Sequence, residues 1–333
     1  MSAAPSSADH DGARQDRHGA RQDCHGAGQD RDGARQDPGG APDARPAGPG
    51  LRQVSLARLA EFGITPKRDL GQNFLIDDNI VGVILGQLES APDDVILEVG
   101  AGLGVLTAAL ARVARRVHAF EVDKSLEGPL RATLGADPKV DLHFQDILRA
   151  RLEDLEPAPT LCASNLPYSV AGPFIIECLQ RVPTVRRYCV MVQREVAERL
   201  AATPGTKTYG ILSVWVQLYA RIVRTRPLGR SIFYPQPNVD STLVVVDRFP
   251  EEQMPSVDPA RLRTVIQAGF GQRRKTLVNA LSSGLGLPRE RALEMVGALG
   301  LPADIRAERL APAQFVQLAE QVDPGSGHNP PTS

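Results

Sequence analysis

The sequence predicts an α/β protein with a Rossmann-like parallel sheet, a small C-terminal all-helical domain and a disordered N-terminal tail. Short β-favouring runs alternate with helical patterns between residues 95 and 192, which is typical of a parallel sheet covered on both faces. After Pro250 the strand signals stop and helical periodicity replaces them. Residues 1–50 are instead largely a polar repeat with no large apolar position, so they cannot bury a core.

These patterns divide the chain into four predicted segments. They are a low-complexity tail over 1–50, a sheet domain over 51–249, a helical domain over 250–321 and a frayed end over 322–333. No apolar stretch approaches the roughly 20 residues that a membrane span needs, and the polar start shows no secretory signal. The 4 cysteines form no CxxC pair. We therefore expect a cytoplasmic protein with no metal site and no contact with membranes.

Each element of the sheet domain has a local signal. The strands are predicted over 95–99, 117–121, 140–145, 161–165 and 188–192. The helices are predicted over 54–59, 80–88, 105–113, 125–134 and 173–179. Extended segments over 222–225 and 242–247 are expected to close the sheet as a hairpin, and helical stretches over 258–282 and 289–320 form the second domain.

Basic side chains are in excess in one part of the chain, although the formal net charge is −1. Between Arg186 and Arg248 there are ten Lys and Arg residues against four Asp and Glu residues. Binding to a polyanion depends on a local basic face more than on the total charge. This part of the chain is therefore either a solvated charged surface or a phosphate-binding face.

Three strand ends carry features that suit an adenosine-like ligand. The glycine turn over 100–104 has the spacing GxGxG, which lets backbone amides approach a ligand, but Val105 breaks the GxGxxG pattern of nicotinamide cofactor sites. Glu121 ends the second strand, where its two oxygens can accept both ribose hydroxyls, and Asp123 is the competing candidate. Asp146 follows the third strand and can accept from an adenine amine.

The run Asn165-Leu166-Pro167-Tyr168, at the end of the fourth strand, points to methylation of an adenine amine. That amine is a poor nucleophile because its lone pair is delocalised into the ring. The Asn165 side-chain carbonyl and the Leu166 backbone carbonyl can hold its two N–H bonds while the lone pair faces a methyl donor. Pro167 fixes the bend, and Tyr168 offers a face for the base. A loop with ordinary turn chemistry is the alternative interpretation.

Two further motifs provide candidate contacts with a nucleic acid. Phe233, in the proline-rich run 233–237, can stack on the second face of an extracted base, and such stacking is worth roughly 1–3 kcal/mol. Arg273, Arg274 and Lys275 are adjacent cations between two helical segments, and they suit phosphates. A stiff loop and a solvated helix end are the respective alternatives.

The sequence resembles the ribosomal RNA adenine N6,N6-dimethyltransferases that act on the small subunit. The resemblance covers about residues 54–320, and the matching runs include LGQNFLID (70–77), LEVGAGLGVLT (97–107), SNLPYSVAGPFI (164–175), FYPQPNVDST (233–242) and AGFGQRRKTLVNAL (268–281). It implies a Rossmann-like S-adenosylmethionine-dependent methyltransferase that dimethylates two adjacent adenines near the 3′ end of small-subunit (16S) ribosomal RNA during subunit assembly. It also implies a monomer acting on the immature small subunit, and sensitivity to kasugamycin that depends on its activity.

The resemblance assigns roles to single residues. It implies an S-adenosylmethionine site made of Asn73, Leu75, Gly100, Glu121, Asp146 and Asn165. Residues 165–168 then form the catalytic loop, with Tyr168 and Phe233 on either side of the target adenine. Lys207, in TKTYG, joins residues 273–275 as an RNA contact. Two features depart from the family pattern: the tail has no counterpart, and Leu228-Gly229 stands where Val-Pro is usual.

Two other functions remain alternatives. A large-subunit RNA adenine methyltransferase of the macrolide-resistance type shares the QNFL, glycine-turn and Asn-Leu-Pro-Tyr patterns, but TKTYG (206–210) and GQRRKTL (271–277) favour the small-subunit family. A non-catalytic ribosome assembly factor is disfavoured by the intact Asn165 and Tyr168, because a pure RNA binder has no need of an amine-positioning loop.

Overall fold

The computed structural model describes residues 50–272 and 274–322. The predicted disorder of the tail over 1–50 and the predicted fraying over 322–333 lie outside those ranges except for Gly50 and Val322, and the predicted RNA contact of Arg273 also lies outside them. Within the described residues, no helix is long and apolar enough to cross a membrane.

The central feature is a seven-stranded sheet, accompanied by a small two-stranded one. The strands are β1 (Phe74–Leu75), β2 (Val95–Val99), β3 (Arg116–Phe120), β4 (Val140–His143), β5 (Leu161–Asn165), β6 (Arg187–Gln193), β7 (Ala220–Leu228), β8 (Phe233–Tyr234) and β9 (Ser241–Arg248). The helices are α1 (Leu51–Glu61), α2 (Asp78–Leu88), α3 (Val105–Val113), α4 (Glu127–Leu134), α5 (Ala171–Arg181), α6 (Arg194–Leu200), α7 (Ile211–Tyr219), α8 (Pro259–Gly271), α9 (Leu277–Leu285), α10 (Arg289–Ala298) and α11 (Pro312–Glu320).

The order of the strands in the large sheet is β4-β3-β2-β5-β6-β9-β7. The pairs from β4 through β6 are parallel, and β9 is antiparallel to both β6 and β7. The Rossmann-like prediction and the closing hairpin are therefore confirmed. In such a sheet the carboxyl ends of the parallel strands meet at one edge, where ligands bind. The chain order reverses between β2 and β5, so this edge contains a crevice next to the glycine turn.

Alternating side chains of the sheet build two apolar clusters, one on each face. In β2, Leu97 and Val99 pack into one cluster and Ile96 packs into the other. Strands buried on both faces have nearly continuous apolar sequences, which is why this strand is recognisable from its sequence. The first cluster also contains Leu262 of α8 and Phe315 of α11, so apolar packing runs from the sheet into the C-terminal helices. The predicted domain boundary at 249/250 stays a prediction.

The structure differs from the predicted elements in several places. The helical stretch 258–282 comprises two helices, α8 and α9, and the Thr276 side chain caps α9 by accepting a hydrogen bond from the Asn279 amide. The stretch 289–320 likewise comprises α10 and α11. Helices α6 and α7 were not predicted. Helix α7 is largely apolar and contains three β-branched residues, so periodicity does not distinguish it from a strand. The pairing of β1 with β8 joins distant parts of the chain and has no local signal.

Candidate active site

A cavity of about 260 Å³ lies at the carboxyl ends of the parallel strands. Its lining includes every residue predicted to bind the cofactor: Asn73, Leu75, Gly100, Glu121, Asp146 and Asn165. Leu166, Pro167 and Tyr168 line the same cavity. The sheet order explains this convergence, because the loops after β2, β3, β4 and β5 open onto one crevice.

The glycine turn after β2 forms one wall of the cavity. Gly100 has φ of +78°, which L side chains rarely adopt, and a Cβ there would lie 3.3 Å from the Asn165 carbonyl oxygen and 3.4 Å from Pro167 Cδ. Gly104, by contrast, does not line the cavity, and a Cβ on it would meet Leu130 and Leu134 of α4. The first glycine therefore allows the loop of residues 165–168 to approach, whereas the third allows helix packing.

Glu121 follows directly after β3 and is only 6% exposed. Its Oε2 accepts a hydrogen bond from the Gly102 amide and its Oε1 accepts one from the Asp123 amide, both at 2.9 Å. Burial raises the pKa of the carboxyl, while the amide hydrogen bonds oppose that rise. Each oxygen still has acceptor capacity, so the side chain can receive hydroxyl donors from the cavity.

Asp123, the competing candidate, has a different task. It does not line the cavity, and it accepts hydrogen bonds from Lys67 Nζ at 2.7 Å, Gln72 Nε2 at 2.8 Å and Ser125 Oγ at 2.6 Å. Burial opposes its ionisation, but the hydrogen bonds outweigh burial and lower the pKa of Asp123 to about 2. It therefore anchors residues 67–72, the segment that leads into the cavity wall.

Asp146 lines the cavity on the side of β4. Its Oδ1 accepts a hydrogen bond from the Leu148 amide at 3.0 Å, and Arg149 Nε lies 3.7 Å from Oδ2. The side chain is 40% exposed, so it has room to accept from a ligand amine.

The loop after β5 is tied to the segment before β1. Asn165 Nδ2 donates a hydrogen bond to the Asn73 carbonyl at 2.8 Å, which leaves Oδ1 as the acceptor end of the amide. The Leu166 amide donates to the Met191 carbonyl at 3.1 Å. The Pro167 carbonyl accepts from the Ala171 amide at 3.1 Å, at the start of α5. Three fixed points thus hold the loop that the sequence singled out.

Tyr168 is half-buried at the end of this loop. Its hydroxyl lies 3.3 Å from Ser241 Oγ at the start of β9. Burial raises the pKa of the Tyr168 phenol, so the ring is neutral near pH 7. A neutral, anchored aromatic ring suits stacking better than proton transfer.

Phe233 is not placed as the sequence led us to expect. It is 2% exposed and does not line the cavity, whereas the next residue, Tyr234, is 41% exposed. Phe233 pairs with Leu75 in the two-stranded sheet, and the alternation of side chains turns Phe233 into the core and Tyr234 outward. In this conformation the Phe233 ring does not offer a face to a base in the cavity.

Glu98 lines the cavity and was missed by the sequence reasoning. It is 1% exposed, and its Oε2 has no hydrogen-bond partner among the described residues. Burial raises the pKa of Glu98 to about 8, and the nearby charge of Glu121 adds to that rise. The sequence feature that could have identified Glu98 is the presence of an acid within the otherwise apolar run Val95–Val99.

The predicted RNA contacts lie on the surface away from the cavity lining. Lys207, Arg274 and Lys275 are exposed. Their loops adjoin one segment, because the Gly205 amide donates to the Glu308 carbonyl at 2.6 Å and the Leu277 amide donates to the Ile305 carbonyl at 2.7 Å. That segment also carries two exposed cations that the sequence reasoning did not single out, Arg306 and Arg309.

A family model and several known proteins match most of the chain. A family model described as ribosomal RNA adenine dimethylase matches residues 64–323. Proteins named ribosomal RNA small subunit methyltransferase A are similar over most of the chain. The protein from Streptomyces coelicolor is 42% identical over 284 residues, 84% of this chain and 97% of the relative. The protein from Bacillus cytotoxicus is 36% identical over 273 residues, 79% of this chain and 94% of the relative.

Two solved structures share the fold. A dimethyladenosine transferase from Plasmodium falciparum has a TM-score of 0.63 at 22% identity, covering 74% of this chain and 95% of that one. The 23S rRNA methyltransferase ErmE has a TM-score of 0.53 at 26% identity, covering 75% of this chain and 99% of that one. The Rossmann-like sheet with appended helices is therefore common to all of them.

Proposed function

The chain belongs to the ribosomal RNA adenine dimethylase family and is an S-adenosylmethionine-dependent methyltransferase, and on this premise we propose its substrate and the roles of its residues. Its substrate is small-subunit ribosomal RNA, in which it dimethylates N6 of two adjacent adenines near the 3′ end. It acts in the cytoplasm as a monomer on the immature small subunit. The observation that carries this proposal is the convergence of residues 165–168 with Glu121 and Asp146 on one cavity.

The cavity fits S-adenosylmethionine in shape and in its polar groups. Gly100 leaves room where any side chain would collide with the catalytic loop. The acceptors Glu121 and Asp146 lie after neighbouring strands, as a ribose diol and an adenine amine require. Glycine and acidic groups without a cluster of cations suit an adenosyl group that carries no diphosphate. Asn73 and Leu75 close the remaining side of the cavity.

S-adenosylmethionine supplies a methyl group on a positively charged sulfur. The chain supplies the position of the acceptor amine. Asn165 Oδ1 and the Leu166 carbonyl accept the two N–H bonds of the adenine amine, which favours a pyramidal nitrogen whose lone pair faces the methyl group. The hydrogen bond from Asn165 Nδ2 to Asn73 fixes which end of the amide faces the substrate.

Tyr168 provides the stacking surface for the extracted base. Its hydroxyl contact with Ser241 sets the orientation of the ring. Stacking is worth roughly 1–3 kcal/mol per base, enough to offset part of the cost of extraction. Phe233 joins on the second face only if β8 shifts away from the core, because the ring is buried in the structure.

In the first methylation an N–C bond forms as the S–C bond of the methyl donor breaks, and one amine proton is released to solvent. The second methylation requires the same site to accept a methyl group in place of that hydrogen, and one acceptor is then sufficient to orient the remaining N–H bond. Positioning by Asn165 and Leu166 is therefore compatible with both transfers without a covalent enzyme intermediate.

The decisive test is Asn165→Ala, with Asn79→Ala on the exposed surface of α2 as the matched control. We expect methyl transfer to small subunits to fall by at least about 100-fold, the usual effect of removing one preorganised polar contact. Binding to the subunit and the melting temperature should change little. Transfer at the wild-type rate in Asn165→Ala would refute the assigned role.

Large-subunit RNA is the second candidate substrate, favoured by the structural likeness to ErmE. The relatives named for the small subunit are more similar in sequence, at 42% identity against 26%. Incubating the protein with unmethylated small and large subunits and a labelled methyl donor separates the two. Label only in large-subunit RNA would overturn the small-subunit assignment.

A further inference from the structure

The basic residues between Arg186 and Arg248 differ in how they are engaged. One group is held by acidic or backbone partners and comprises Arg186, Arg187, Arg194, Arg230 and Arg248. Arg221, Arg224 and Arg226 lie on β7, are exposed, and form no ion pair with any residue in the ranges 50–272 and 274–322. Three of the four arginines of this region whose side chains have no partner among the described residues therefore lie on β7, and the fourth, Arg199, lies on α6.

Strand β7 is the outer strand of the large sheet, so one of its edges is open. Arg224 and Arg226, the β7 arginine pair, are two residues apart and therefore share a face of the sheet. They line a narrow cleft of about 60 Å³ together with Val83 and Gln87 of α2 and Leu243 and Val245 of β9. The acid that directly follows α2, Glu89, is already bound by Arg187 at 2.5 Å. The β7 arginine pair thus presents uncompensated positive charge.

The orientation of β7 relates this pair to the active site. Both β6 and β7 are antiparallel to β9, so β7 runs in the direction of the parallel strands and ends at the active-site edge. Its last residue, Leu228, pairs with Ser241, whose hydroxyl contacts Tyr168. At about 3.3 Å per residue, Arg226 and Arg224 lie roughly 7 Å and 13 Å along the strand from Leu228.

We propose that the β7 arginine pair binds the phosphate backbone of the substrate RNA, at the point where the RNA chain leaves the catalytic loop. Arginine suits this task because its planar guanidinium donates two parallel hydrogen bonds to one phosphate. The identity of the RNA rests on the proposed function. Guarding an open sheet edge against pairing with another copy is the competing role, and either sign of charge serves that role equally well.

The test measures how binding to small-subunit ribosomal RNA depends on salt, without S-adenosylmethionine. Each phosphate contact contributes about 0.7 to 0.9 to the slope of log affinity against log salt, so losing two contacts lowers the slope by about 1.4 to 1.8. Between 50 and 200 mM KCl, the wild type should therefore lose about tenfold more affinity than the R224Q/R226Q variant. The matched control is R112Q/R115Q, which changes two exposed arginines, one in the last turn of α3 and one directly before β3, and it should retain the wild-type slope.

A second variant separates RNA binding from edge protection. R224E/R226E keeps the open edge charged, so under edge protection it stays monomeric by light scattering and binds RNA as the wild type does. Under the proposal it binds RNA more weakly than R224Q/R226Q.

A wild-type slope in R224Q/R226Q, or an equal fall in the control, would overturn the proposal. Methyl transfer by the wild type is recorded separately. A wild type that transfers no methyl group to small subunits contradicts the proposed function, while the salt slope still decides whether the β7 arginine pair contacts RNA.

Discussion

Asp123 anchors residues 67–72, several of which line the cavity, and replacing it should weaken cofactor binding although Asp123 itself does not line the cavity. In Asp123→Ala, the hydrogen bonds from Lys67, Gln72 and Ser125 are lost together. Because Lys67 is 48% exposed, solvent screens part of its contribution. We therefore assign the hydrogen bonds to Asp123 a combined stabilising free energy of about 2 kcal/mol, which is at the low end for hydrogen bonds to a charged group.

Without this anchor, residues 67–72 more readily move away from the cavity, which we call the open form of the segment. If S-adenosylmethionine binds only when Gly71, Gln72 and Asn73 complete the cavity, its dissociation constant should rise by up to about 30-fold, because 1.4 kcal/mol corresponds to a factor of ten. Residues 165–168, the proposed catalytic loop, are unchanged in this variant, so kcat should fall much less than the affinity once the cofactor is bound.

Calorimetric titration with S-adenosylmethionine measures the dissociation constant, and hydrogen exchange of residues 67–73 measures the opening. Asp123→Asn should be intermediate, because it keeps an acceptor, and Asp93→Ala, at an exposed acid, is the control. The anchor also has a pH dependence of known sign. The pKa of Asp123 is lowered to about 2, so its stabilisation is present above about pH 4 and is lost as the pH falls toward 2. Unchanged affinity and unchanged exchange in Asp123→Ala would show that the reasoning is wrong.

Three further predictions concern the cavity and its support. Glu98→Gln should gain stability relative to the wild type as pH rises from 5 to 8 in denaturant melts, because the folded protein keeps the Glu98 proton up to a pKa of about 8 whereas the unfolded chain releases it near the ordinary value of 4.5; parallel curves would contradict this. Phe233→Ala should lower the free energy of unfolding by about 3–5 kcal/mol, the cost of emptying a buried aromatic site, and a loss near zero would mean that the ring is not a core residue. Tyr168→Ala should slow methyl transfer by about 5- to 150-fold whereas Tyr168→Phe keeps most of it, and equal losses would mean that the hydroxyl matters more than the stacking face.

The sequence by itself determined the strands of the parallel sheet and the loops that follow them. Val95–Val99 and Leu161–Asn165 have the predicted bounds, because strands buried on both faces are continuous apolar runs that end at recognisable turns. The glycine turn and the run 165–168 are also local features, since their backbone requirements are expressed by neighbouring residues. Parallel topology then brings the strand ends together, so the sequence predicted that Glu121, Asp146 and residues 165–168 share a cavity, although it missed Glu98.

Only the tertiary structure distinguished the roles of side chains that the local sequence makes equally good candidates. Glu121 and Asp123 are two residues apart, and what separates them is that Lys67 and Gln72, from a distant segment, occupy Asp123. Phe233 is buried because β8 pairs with β1, a contact that no local pattern encodes. The unpaired arginines of β7 are likewise recognisable only once the acids that neutralise the other arginines have been located. Burial and ion pairing depend on residues far apart in the chain, and a single sequence contains no local signal of such contacts.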